Sequence, residues 1–220
     1  MMNKKAIIFG IKGYKLSYKE KNLFKKIKPW GIILFSRNIK NIHQLQELIS
    51  EIKKIQRDKN YPILIDQEGG KVSRLNKIIN LSFFSQNYFS QLYKKDKKLF
   101  KILYKNYINK TCDILNKVGI NINITPVLDV RRKITNKIIG SRSFSKNPFE
   151  VIKLGKFCIN FYQKNKIATV MKHIPGHGLS KHDTHLKMPI IKANKKILIN
   201  VDFKPFKACT SFFESLVKKD

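Results

Sequence analysis

Ile167-Ala168-Thr169-Val170-Met171-Lys172-His173-Ile174-Pro175-Gly176-His177-Gly178 is the stretch from which the fold can be read. Its first five residues form an apolar, β-branched run of the kind that makes a buried strand. The Pro-Gly and Gly punctuation that follows cannot continue as a helix and forces a shaped loop. Four of the chain's five histidines, His173, His177, His182 and His185, fall in or just after this stretch. Histidine changes charge near neutral pH without special tuning, so such a cluster marks proton transfer or metal binding. A histidine loop at the C-terminal end of a buried strand is where α/β barrels place their chemistry.

Working outward, four more apolar runs precede it: Ala6-Ile7-Ile8-Phe9-Gly10, Gly31-Ile32-Ile33-Leu34-Phe35, Pro62-Ile63-Leu64-Ile65 and Ile122-Asn123-Ile124-Thr125-Pro126-Val127. Helical patterns lie between them. Ile42, Leu45, Leu48, Ile49, Ile52 and Ile55 recur at helical spacing behind a capping Asn41. A long pattern runs from Leu92 to Val118 and stops at Gly119. Another runs from Pro148 to Lys164 with Asn147 as its cap, and a sixth helix begins near Asp202. Near-continuous apolar strands alternating with helices predict a parallel sheet buried on both faces.

The expectation is an α/β fold, one domain over residues 1–220, built as a TIM (β/α)8-type barrel. Such barrels run to about 250 residues, so the barrel is expected to be truncated after five to six β/α units. An open sheet would expose the edge of the fifth strand and apolar side chains of Ile197, Phe203, Phe206, Phe212 and Phe213. Self-association through that edge is then expected.

The composition points elsewhere at first sight. Forty-six Lys and Arg against fourteen Asp and Glu give a formal charge of +32 and a pI near 10.2, a balance that often marks a nucleic-acid or membrane partner. Six of these are Arg, at positions 37, 57, 74, 131, 132 and 142, and the other forty are Lys spread through nearly every segment. Base readers favour the bidentate guanidinium clustered on one face. Here Lys accompanies abundant Ile and Asn, so a solvated, codon-biased surface is the reading, with no specific nucleic-acid partner. The apolar run at Ala6–Ile11 is too short for a signal segment, and no later run reaches membrane length. Cys112, Cys158 and Cys209 are odd in number and form no CxxC pair, which reads as buried thiols in a reducing compartment. A cytoplasmic protein with no membrane partner and no cofactor is expected.

Each strand ends in a polar motif. Ser36-Arg37-Asn38 follows the second, Asp66-Gln67-Glu68-Gly69-Gly70 with Arg74 the third, and Leu128-Asp129 the fourth, with Gly140-Ser141-Arg142-Ser143-Phe144 farther on. Such ends converge on one rim in a barrel. Taken alone, Asp66 reads equally as a turn cap, Gly69-Gly70 as turn chemistry, and Glu68 as a structural or solvated carboxylate. Arg74 and Arg142 stand out because Arg is scarce, which suggests planar, bidentate recognition. The four histidines also admit a metal-dependent hydrolase, although no helical HExxH and no neighbouring Cys accompany them.

Together, and in this order, these motifs resemble glycoside hydrolase family 3, most closely the bacterial cytoplasmic β-N-acetylglucosaminidases of cell-wall recycling. The resemblance runs from about residue 5 to about residue 208 and implies retaining hydrolysis of terminal β-linked N-acetylglucosamine, through a covalent glycosyl-enzyme, from peptidoglycan-derived muropeptides. It implies His185 as acid and base, with Asp183 orienting it. It also implies Asp66, Arg74, Arg142, Lys172 and His173 as sugar-binding residues. His177 reads as a loop-ordering residue. The family's nucleophilic aspartate lies on a later strand, so it is expected to fall beyond residue 220. An inactive sugar-binding remnant is the alternative that this expectation leaves open.

Overall fold

Parallel strands in sequence order make the central sheet of this computed structural model, which describes residues 4–183, 186 and 188–217. The strands are β1 (Lys5–Gly10), β2 (Pro29–Leu34), β3 (Ile63–Ile65), β4 (Ile122–Asn123) and β5 (Ala168–Thr169), each hydrogen-bonded to the next. A sheet whose order is the chain order, with a helical crossover between neighbours, is the geometry of a TIM-type barrel wall. β1 and β5 are its two edges.

The crossover helices are α1 (Tyr18–Ile27), α2 (Ile42–Gln56), α3 (Gln86–Lys95), α4 (Lys97–Val118) and α5 (Pro148–Lys164). Asn41 and Asn147 cap α2 and α5 as expected, and Gly119 closes α4 in the left-handed region at φ 89°. Between sheet and helices lies the core, where Ile32, Leu34, Ile63 and Ile65 meet Phe24, Ile52, Ile108, Cys112, Cys158 and Tyr162.

Three features depart from the sequence reading. Helix α1 is named by no pattern in the sequence reading; its start lies in a capping box, in which Ser17 and Glu20 bond each other's backbone N–H. The single helix expected from Leu92 to Val118 is two helices. Asp96 leaves helical geometry and its carboxylate accepts from the N–H groups of Lys98 and Leu99, starting α4 anew. β4 and β5 are shorter than their apolar runs because the Thr125 N–H turns back to Asn123 O (2.9 Å) instead of pairing with β5. Pairing resumes farther on through Lys172 N to Pro126 O (3.2 Å) and Leu128 N to Lys172 O (2.7 Å).

After β5 the chain passes through a loop, the short helix α6 (Lys195–Ile197) and a π-turn (Leu198–Asp202) into α7 (Lys204–Val217), which packs on α5. Gly155 makes that approach possible, since a Cβ there would lie 3.3 Å from Cys209 Sγ and 2.6 Å from Leu128 Cδ2. Phe206, expected to be exposed, is therefore buried; Phe203, Phe212 and Phe213 are half-buried and Ile197 is exposed. Among the described residues no helix is long and apolar enough to cross a membrane.

The three thiols are buried, and burial pushes each from its ordinary 9.0 up to about 12. The folded state thus holds these protons more tightly than the unfolded chain, and it loses stability as pH rises from 9 toward 12. Denaturant midpoints are expected to fall between about pH 8 and about pH 10, with Cys158→Ala and Cys209→Ala together reducing the drop. Thiol-specific alkylation is expected only once the protein unfolds.

Candidate active site

The C-terminal ends of β3, β4 and β5 converge on one polar cluster. Asp66 follows β3 directly. Beyond it Gln67 is buried and organises the loop: its Oε1 accepts from Arg74 N (2.7 Å) and Leu75 N (3.1 Å), and its Nε2 donates to Ser73 Oγ (3.0 Å). The loop turns at Gly69, φ 85°, where a Cβ would stand 2.3 Å from Phe84 O and 2.5 Å from the Tyr107 hydroxyl. Glycine is the one residue that fits such a space. The turn brings Arg74 back to Asp66, Nη2 to Oδ2 3.3 Å. Asn123 on β4 ties the strands together above the ladder, bonding the backbone N–H and C=O of Gln67 at 3.0 and 2.9 Å.

Lys172 arrives from β5, carried by the resumed β4–β5 pairing, and its ammonium contacts both Asp66 Oδ1 and Glu68 Oε1. The Glu68 side chain is 1% exposed and also accepts a fork from Arg142, Nε to Oε2 2.9 Å and Nη2 to Oε1 2.8 Å. Glu68 is therefore a buried counter-ion and not a solvated carboxylate. Burial alone would weaken the Arg142 cation, but the hydrogen bonds and charge of Glu68 outweigh it and raise its proton affinity further. Gln86, at the start of α3, holds the Arg142 loop by donating to Arg142 O (2.8 Å) and Val127 O (2.9 Å).

His173 sits at the junction. Its Nε2 lies 3.1 Å from Arg142 Nη2 and its Nδ1 lies 2.7 Å from Asp129 Oδ2. A guanidinium can only donate, so Nε2 is the acceptor and Nδ1 carries the proton toward the carboxylate. The other Asp129 oxygen accepts from His177 N (2.7 Å), and the two imidazole rings stack at 4.8 Å. His177 thus orders the loop, as its position suggested.

That loop is fastened along its length. Thr135 Oγ1 donates to Gly178 O (2.5 Å), Asn136 N to Ser180 O (2.9 Å) and Asn136 Nδ2 to Lys181 O (2.9 Å). Gly178 passes so close to Val130 O that a Cβ would lie 2.1 Å from it. Under the loop, Asp202 pairs with Arg132 at 2.5 Å, and burial raises the Asp202 carboxyl above its ordinary range despite that partner.

All five residues expected to bind sugar, Asp66, Arg74, Arg142, Lys172 and His173, are brought together. Asp183 lies half-buried on the loop, its carbonyl accepting from Leu186 N at 3.1 Å, and His185 lies outside the described residues. For a metal site the geometry is unfavourable at His173, whose two ring nitrogens are taken by Asp129 and Arg142. Among the described residues no group of three or more His, Cys, Asp or Glu could hold a metal ion.

Sequence reasoning placed Asp129 within a motif without giving it a role, although an aspartate closing an apolar strand run was the available signal. Gln86 and Asp202 carried none, because their partners are backbone or side chains tens of residues away.

The family model for the glycosyl hydrolase family 3 N-terminal domain matches residues 2–212. The chain belongs to that family. Beta-hexosaminidase A of Pseudoalteromonas piscicida is 33% identical over 180 residues, covering 80% of this chain and 30% of that protein. Among solved structures, native NagZ from Neisseria gonorrhoeae matches with a TM-score of 0.85 and 30% identity, over 94% of this chain and 60% of that one. The same protein in complex with N-trifluoroacetyl-D-glucosamine matches with a TM-score of 0.83 and 30% identity, over 93% and 60%. The chain thus spans between about a third and three fifths of the length of these relatives.

Glu68→Gln keeps the shape of the site but leaves Arg142 without its buried counter-charge and Lys172 with Asp66 alone. Breaking such a pair is expected to cost about 3–5 kcal/mol of stability in urea unfolding, whereas Lys71→Gln in the same loop, exposed, is expected to stay within about 0.5 kcal/mol.

Proposed function

We propose that this chain carries the sugar-recognition and acid/base parts of a β-N-acetylhexosaminidase that removes terminal β-linked N-acetylglucosamine with retention. The observation that carries this reading is the cluster at the strand ends, where Asp66 stands between Arg74 and Lys172 beside the Glu68–Arg142 and Asp129–His173 pairs. A sugar hydroxyl both donates and accepts, so it is matched by a carboxylate and a cation that already face each other. Arg74 Nε is buried with no partner among the described residues, a donor that a bound hydroxyl or carbonyl would satisfy. The gonococcal NagZ complex with an N-acylated glucosamine supports the same ligand class here.

His185 serves as the acid that protonates the departing glycosidic oxygen and then as the base that activates water, oriented by Asp183. Peptidoglycan-derived muropeptides are the natural substrate and the cytoplasm the site of action, by the family resemblance of the motifs. Retention through a covalent glycosyl-enzyme calls for a protein nucleophile, a carboxylate in most glycosidases. Asp66, Glu68, Asp129 and Asp202 each already face a cation or histidine, and we assign the nucleophile to none of them. Their engagement favours, as the second reading, a polypeptide that binds the sugar without turning it over. The exposed edge residues Ile7 and Ile8 of β1 and Ala168 of β5 support self-association of these 220 residues.

Binding is tested first. Calorimetry with N-acetylglucosamine is expected to show weak, saturable binding that Arg74→Lys weakens roughly tenfold, because a point charge cannot replace a planar fork. An unchanged affinity would take Arg74 out of the site. Where turnover is detected, His185→Ala should slow alkyl glycosides by roughly 100-fold or more and nitrophenyl glycosides far less, since nitrophenolate departs without protonation. Equal losses on both would remove His185 from the acid role.

A further inference from the structure

The arginines of this chain divide between its two faces. Five of the six sit beyond the C-terminal ends of the strands with defined partners. Arg37 donates to Ile11 O and lies over the Phe35 ring, Arg74 meets Asp66, Arg131 meets Asn87, Arg132 meets Asp202 and Arg142 meets Glu68. Arg57 is the exception. It caps the C-terminus of α2 on the opposite face, where the strands begin, and its guanidinium makes no hydrogen bond or ion pair among the described residues.

Arg57 stands where two clefts meet. One, of about 600 Å³, has a floor of Phe24, Ile55 and Gln56 and is ringed by Lys25, Lys28, Lys54 and Arg57, with no carboxylate in its lining; its fifth cation, Lys4, is paired with Asp58. The other, of about 540 Å³, shares Lys54 and Arg57 and adds Lys53, Lys59 and Lys117. Its one acid, Asp58, is already paired with Lys4 at 2.7 Å. Lys53 is partly withdrawn from water, and that burial lowers its proton affinity although the charge of Asp58 acts the other way.

Cations at helix C-termini are partly accounted for by the helix dipole, and Lys25, Lys53, Lys54 and Lys117 lie in last turns. That does not account for Lys28 and Arg57. Both are cap residues in the left-handed region, at φ 52°, where Gly or Asn would sit with less steric cost. Both instead carry a cation into the same cleft. Nor does it explain why a chain that uses Lys nearly everywhere holds an unpartnered Arg at the point shared by the two clefts. A planar guanidinium recognises phosphate oxygens in a way that an ammonium does not.

We propose that this face, centred on Arg57, binds a chain of linked phosphates, the group shared by nucleoside triphosphates and inorganic polyphosphate. A single small anion would engage only two or three of these cations. A row of phosphates can run from the first cleft past Arg57 into the second. The apolar floor lowers the local dielectric and strengthens each contact. The site lies on the far side of the sheet from the sugar site and does not depend on its assignment.

Calorimetric titration with inorganic tripolyphosphate at roughly physiological salt tests this, because salt at about 0.15 M screens diffuse attraction to the +32 chain. Saturable binding is expected. Arg57→Asn combined with Lys28→Asn keeps both left-handed caps and should weaken it at least tenfold; Arg57→Lys, which keeps charge and stem, should fall between that variant and the wild type. ATP is expected to compete with tripolyphosphate for the same site. An equal loss from Lys101→Ala with Lys105→Ala, on the exposed face of α4, would show that net charge alone is read and would overturn the proposal. Absence of binding at that salt, or ATP binding that tripolyphosphate does not displace, would overturn it as well.

Discussion

Glu68 is the residue on which the site depends. Its carboxylate is buried between Arg142, which comes from the segment after β4, and Lys172, which comes from the end of β5. A single charge of that kind holds three loops in register, because each cation would be left uncompensated in a low-dielectric setting if its loop moved away. Asp66 and Asp129 extend the same logic outward, one to Arg74 and the other to His173 and the backbone of the histidine loop.

The surrounding protein shows how little net charge says about chemistry. A formal charge of +32 suggests a polyanion partner, yet the strand-end face keeps its acids and bases nearly matched, so that neutral, polyhydroxylated ligands suit it. The unmatched charge lies elsewhere, over the helices and on the face where the strands begin. Arg, the more informative of the two cations, follows function more closely than Lys does in this chain. At five of its six positions the guanidinium has a defined acceptor among the described residues, Arg57 being the exception.

Packing on the helix side explains why the cluster can be so polar without cost to the fold. Cys112, Cys158, Tyr104 and Tyr162 lie with Ile63 and Ile65 in a core that is complete between sheet and helices. The glycines that matter serve the site by letting chains approach: Gly69 lets Phe84 and Tyr107 close over the Asp66 loop, and Gly178 lets the histidine loop lie on Val130. Each stands where a side chain would push a loop of the cluster off its support.

Sequence alone determined the alternation of strand and helix and the parallel sheet, while the grouping of Asp66, Arg74, Arg142, Lys172 and His173 came only through the resemblance of its motifs to a known family. Those features rest on local periodicity and on motifs a few residues long, which are printed in the order of the chain. It also named the caps at Asn41 and Asn147, since capping is a contact over two or three residues. It named no pattern for α1, a short helix rich in lysine, and it missed the break at Asp96, where a cap interrupts a pattern that otherwise continues. The tertiary structure alone decided that Glu68 is a buried counter-ion, that Asp129 fixes the tautomer of His173, and that Gln86 supports the Arg142 loop. Each of those pairs spans from about forty to more than seventy residues. Distances in space at that separation are set by the packing of whole elements, and no local pattern encodes them.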